Sequence, residues 1–113
     1  MELPLQIAAR GLELGPETER LIRQYAEKLD RYYERIIGVR VMVDIPKRQM
    51  GEAITHHVRF DITVPGGEVV VRRQAHSELH TAIRRAFEAA RRQLQDFARR
   101  QRGDVKARAW EQS

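Results

Sequence analysis

From Ile54 to Val64 the chain alternates without a break. Ile54, His56, Val58, Phe60, Ile62 and Val64 form one set, and Thr55, His57, Arg59, Asp61 and Thr63 form the other. Successive side chains of an extended strand point to opposite faces, so this pattern predicts a long half-buried strand. Pro65-Gly66-Gly67 follows at once, and Val69 and Val71 then resume the alternation. Two strands joined by so short a turn must be antiparallel neighbours. The chain is thereby committed to a sheet with one apolar and one polar face, and the remaining segments must cover the apolar one.

Two further strands are legible. Leu3, Leu5, Ile7 and Ala9 alternate with polar or small residues, and Val39, Val41, Val43 and Ile45 alternate with Arg40, Met42 and Asp44 before Pro46. Proline cannot donate to a strand ladder and ends that run. "KRQMGE", Lys47 to Glu52, reads as the next loop. Between the first two strands, Gly15-Pro16 breaks the chain and places proline in the first turn of a helix. Glu17 and Glu19 favour that end through the helix dipole. Thr18, Leu21, Ile22, Tyr25, Leu29 and Tyr32 repeat at helical spacing, predicting a helix from Pro16 to Tyr33. A second helix is expected after Ser77 as N-cap, its apolar face made of Leu79, Ile83, Ala86, Phe87, Ala90, Leu94 and Phe97. The predicted fold is α+β, with order β-α-β-β-β-α, a four-stranded antiparallel sheet and both helices on one face.

At 113 residues with 42% hydrophobic content, one domain with a modest core is expected. No apolar run approaches the ~20 residues of a membrane span, and "MELPLQIAAR" lacks the basic and apolar regions of a secretory signal. There is no cysteine, hence no disulfide framework, and a cytoplasmic address is expected.

The net charge of +5 is unevenly spread. Residues 1–71 hold 10 Lys/Arg against 11 Asp/Glu, whereas residues 72–108 hold 11 against 4. Of the 21 cationic side chains 18 are arginine, which suits bidentate contacts to phosphate. Three Arg-Arg pairs, 84–85, 91–92 and 99–100, lie on the second helix. At about 100° per residue from Ile83, Arg84, Arg91 and Arg102 fall near ~80–100°, and Arg85, Arg92 and Arg99 near ~160–200°. Both stripes lie off the apolar face. On the first helix Arg20, Lys28 and Arg31 share one flank, with Glu19, Glu27, Asp30 and Glu34 on the other. Two basic flanks side by side predict a groove-like surface for a phosphodiester backbone.

The histidines offer less. His56 and His57 are adjacent on a strand and point to opposite faces, and His76 precedes the helix that carries His80. With no cysteine and no obvious carboxylate as a third ligand, no metal site is expected. No base stands where it would activate Ser77, and Asp61 and Glu68 have no acid–base partner. No cofactor, small-molecule substrate or enzymatic activity is expected.

The segments "LQIAARGLEL", "AEKLDRYYERIIGVRVMVDIP", "HHVRFDITVPGGEVVV" and "AHSELHTAIRRAFEAARRQLQDFARR", in that order across residues 3–100, resemble the ribosome hibernation-promoting factor / ribosome-associated inhibitor family, also called sigma-54 modulation proteins. The resemblance implies a fold similar to double-stranded RNA-binding domains. It also implies binding to 16S rRNA of the small ribosomal subunit near the decoding region, where messenger and transfer RNA sites are blocked under stress or in stationary phase. By motif match it assigns RNA contacts to Lys28, Arg31, Arg84, Arg85, Arg91 and Arg92; Arg99 and Arg100 continue the stripe by geometry. The family's Lys-rich end of the second helix is Arg-rich here. Residues 1–102 are then the ribosome-binding domain, and 103–113 a flexible basic tail. Two alternatives stand beside this reading. One is a generic double-stranded RNA-binding module, against which "HSELHTAIRR" speaks, being acidic and histidine-bearing where such modules are Lys-rich. The other is an adaptor that binds an acidic protein through its arginines.

Overall fold

The computed structural model describes residues 4–46, 51 and 53–111, the side chains only as far as Gly103. Its elements are β1 (Leu5–Arg10), α1 (Pro16–Tyr32), β2 (Gly38–Asp44), β3 (His56–Val64), β4 (Gly67–His76) and α2 (Leu79–Glu111). The order matches the predicted one. Apart from Gly51, the loop expected over Lys47 to Glu52 lies outside the described residues.

The sheet runs β1-β2-β3-β4. It is mixed rather than antiparallel, because β1 and β2 pair in parallel, from Leu5 with Val39 to Arg10 with Asp44. The cause is α1, a crossover that returns the chain to the end at which β1 began. β2–β3 is antiparallel, and so is β3–β4, as the Pro65-Gly66 turn demands. Gly66 has φ +80°, a left-handed position that suits glycine after proline in a type II turn.

One face of the sheet is apolar throughout. Val39, Val41 and Val43 of β2, Val58, Phe60, Ile62 and Val64 of β3, and Val69 and Val71 of β4 are all buried. Both helices cover this face, α1 with Ile22, Ala26 and Leu29, and α2 with Ala82, Ile83, Ala86, Ala90 and Leu94. The opposite face carries Gln6, Arg40, Arg59 and Thr63, all exposed to solvent.

α2 departs from expectation at both ends. Ser77 does not cap it. The helix begins at Leu79, with Ala82 N donating to Glu78 O at 3.1 Å. Just ahead of the helix, His76 Nδ1 accepts the Glu78 backbone N–H at 3.0 Å. The Ser77 carbonyl accepts from His56 Nδ1 at 2.9 Å. At the other end the backbone stays helical through Gly103 to Glu111, where a flexible tail from residue 103 is expected because the apolar period stops. No proline interrupts residues 104–111, and Lys106, Ala107, Arg108 and Ala109 are all good helix formers.

Candidate nucleic-acid interface

The two helices meet along a seam built from aromatic side chains. Tyr25 of α1 stacks on Phe87 of α2, with centroids 4.6 Å apart. Tyr33, just past α1, meets Phe97 edge-on at 6.0 Å and donates from its hydroxyl to Gln101 Oε1 at 3.0 Å. At the other end of the seam, Thr18 Oγ1 lies 3.2 Å from His80 Nε2. These contacts fix which flank of each helix borders the other. On α2 that flank carries His80, Phe87 and Gln101, and at 3.6 residues per turn Arg84 and Arg91 lie on it too.

Two cations are held directly on the seam aromatics. The Lys28 ammonium sits 5.6 Å from the centre of the Tyr25 ring. The Arg91 guanidinium reaches across to α1 and lies 5.4 Å from the centre of the Tyr32 ring. Tyr32 is 53% exposed, so Arg91 rests on the ring with its outer side in water. A guanidinium stacked this way is positioned without losing its donors.

All nine side chains singled out from the sequence are exposed: Arg20, Lys28, Arg31, Arg84, Arg85, Arg91, Arg92, Arg99 and Arg100. Lys28 and Arg91 are brought to the seam, and Arg84 shares the flank of Arg91. Arg20 and Arg31 lie further round the Lys28 flank of α1, while Arg85, Arg92 and Arg99 form the outer stripe of α2. Arg100 turns to the other side of the helix, where it borders a shallow depression with Glu68, Val69 and Val70 of β4. Its Nε lies 3.5 Å from the Asp96 backbone carbonyl rather than against the carboxylate. Among residues with described side chains, no carboxylate ion-pairs with any of these nine; the ion pair present is Arg59–Asp61 on the sheet. Glu88 and Asp96, the carboxylates interleaved with these arginines on α2, form no ion pair with them.

The seam ends in a depression of about 570 Å³ lined by Tyr32, Tyr33, Glu34, Arg35, Ala98, Gln101 and Arg102, so one carboxylate stands beside two arginines there. Arg35 was not singled out, because it lies past the helical period of α1 and only the packing of Tyr33 on Phe97 brings it near α2. Among the described residues no three His, Asp or Glu side chains come together in a way that could hold a metal ion, and no helix is long and apolar enough to cross a membrane.

Known proteins share this architecture. A ribosomal subunit interface protein from Coxiella burnetii superposes with a TM-score of 0.73 at 12% identity, covering 85% of this chain and 98% of that one. The N-terminal domain of Thermus thermophilus Protein Y gives a TM-score of 0.64 at 22% identity, covering 86% and 99%. At such identities the likeness is one of fold. In sequence, 95 residues are 26% identical to a ribosome hibernation promotion factor of Deinococcus radiodurans, covering 84% of this chain. The chain spans about half the length of that curated relative, 49%. Residues 5–102 match the family described as sigma 54 modulation protein / S30EA ribosomal protein, and to that family this chain belongs.

Proposed function

We propose that this protein is a non-catalytic ribosome hibernation factor. Its helix seam binds 16S rRNA of the small subunit near the decoding region, blocks the messenger and transfer RNA sites, and idles translation under stress or in stationary phase. Its place of work is the cytoplasm. The observation that carries the reading is the seam itself. Lys28 and Arg91 stand on tyrosines at the junction of two helices, further arginines flank them on both sides, and among the described side chains no carboxylate ion-pairs with them. Such a surface neutralises phosphates and releases counterions, the main source of affinity for an RNA backbone. Family membership and the name of the Deinococcus relative support the ribosome as the RNA's owner.

The test is co-sedimentation of the purified protein with isolated small and large subunits at low salt. The protein should travel with small subunits. Remaining at the top of the gradient contradicts the reading, and travelling with large subunits alone contradicts the choice of subunit.

A further inference from the structure

The face of the sheet turned away from the helices has its own cationic centre. In the β3–β4 ladder Val58 pairs with Gln74 and Phe60 with Val71, so Arg72 and Arg73 together oppose the single residue Arg59. This is a β-bulge, which re-aims a side chain that strict alternation would send to the other face. Val71 is fully buried on the helix side, and both arginines after it are exposed. They line a depression of about 530 Å³ with Met42, Asp44, His57, Arg59 and Val70, Asp44 being the one carboxylate among the described lining residues.

We propose that this depression is a second RNA contact, seating one nucleotide of a single-stranded segment distinct from the RNA bound at the helix seam. Arg72 and Arg73 take the phosphate, since paired guanidiniums offer forked donors to its oxygens. Arg59 is held from below by Asp61, Nε to Oδ1 at 2.8 Å, which fixes the plane of its guanidinium. That hydrogen bond and the carboxylate's charge raise Arg59 above its ordinary pKa, so it stays a cation at any working pH. His57 lines the same depression, its Nδ1 buried and without a hydrogen-bond partner among the described residues. Met42 and the exposed Val70 supply apolar surface for the face of a base. An extended strand fits a flat open sheet, and a base packed this way must be unpaired. With contacts on both the helix side and the sheet side, the domain would join two RNA segments rather than lie on one.

The experiment follows amide chemical shifts of the ¹⁵N-labelled full chain on adding an eight-nucleotide oligouridylate at low salt. Saturable shifts are expected at His57, Arg59 and residues 70–74, both in the wild-type protein and in Arg84→Glu with Arg91→Glu, where the helix contact is lost. Arg72→Gln with Arg73→Gln should weaken the sheet response at least tenfold and leave the helix response in place. Val70→Glu, outside the bulge, should do the same by placing a carboxylate at the rim, and it decides the matter if the double variant loses amide dispersion. No sheet response overturns the proposal. So does a sheet response that vanishes in the helix variant, or one that survives Val70→Glu. Uridine monophosphate acting as strongly as the oligomer also overturns it, by assigning the depression to free nucleotide. Failure of the helix site alone leaves the sheet shifts intact, so the two claims fall separately.

Discussion

Arg91 shows how one side chain is prepared for a ligand. Its position at 5.4 Å over Tyr32 gives a cation–π contact at an exposed site, a contribution of about 0.5–1 kcal/mol. Tyr32→Ala releases the guanidinium, and binding to small subunits should weaken about threefold in a filter-binding titration, in line with a contact of that strength. Tyr32→Phe keeps the ring and should bind as the wild type does. His76 works at the same scale on stability. A backbone N–H only donates, so His76 Nδ1 is the acceptor of the Glu78 bond. His76→Ala removes this exposed hydrogen bond and should lower stability by no more than about 1 kcal/mol in urea. His76→Asn, able to accept from the N–H two residues on, should recover most of the loss.

At the scale of elements, the core stripe of α2 was legible although its two ends were not. Ile83, Phe87, Ala90 and Leu94 were read as the core stripe and are all buried. The arginine stripes follow from the same wheel, since a helix with one face in a core must turn the rest outward. What the wheel lacks is the partner element. That Arg91 meets α1 while Arg100 faces β4 depends on how α2 is rotated against the sheet, which Tyr25 on Phe87 and Tyr33 on Phe97 decide. β4 was legible only to Val71. Continued alternation would have driven Arg73 into the core, and the bulge that spares it has no local sequence signal beyond the Arg-Arg pair itself. The parallel pairing of β1 with β2 was hidden for a related reason, since alternation reports faces and not strand direction. The expected contribution of α2 is measurable as salt dependence. Arg91→Gln should reduce the slope of log K against log salt by about one relative to wild type, as the loss of one phosphate contact requires. An unchanged slope would place Arg91 away from phosphate.

The whole molecule is one sheet with its helices on one side, so a single core holds both charged surfaces in register. Phe60 lies at the centre of that core and is fully buried. Phe60→Ala should cost about 3–5 kcal/mol in denaturant unfolding, a large part of the ~5–15 kcal/mol typical of a domain. Loss of RNA binding in that variant would follow unfolding, whereas the exposed arginines can be changed without touching the core. That separation makes the central claim directly testable. Arg84→Glu with Arg91→Glu reverses two charges on the seam flank of α2 and should leave the far-ultraviolet circular dichroism unchanged. Sucrose-gradient sedimentation with purified small subunits at low salt should then show wild-type protein in the subunit fractions and the double variant at the top. Equal co-sedimentation of both would contradict the helix seam as the ribosome-binding surface.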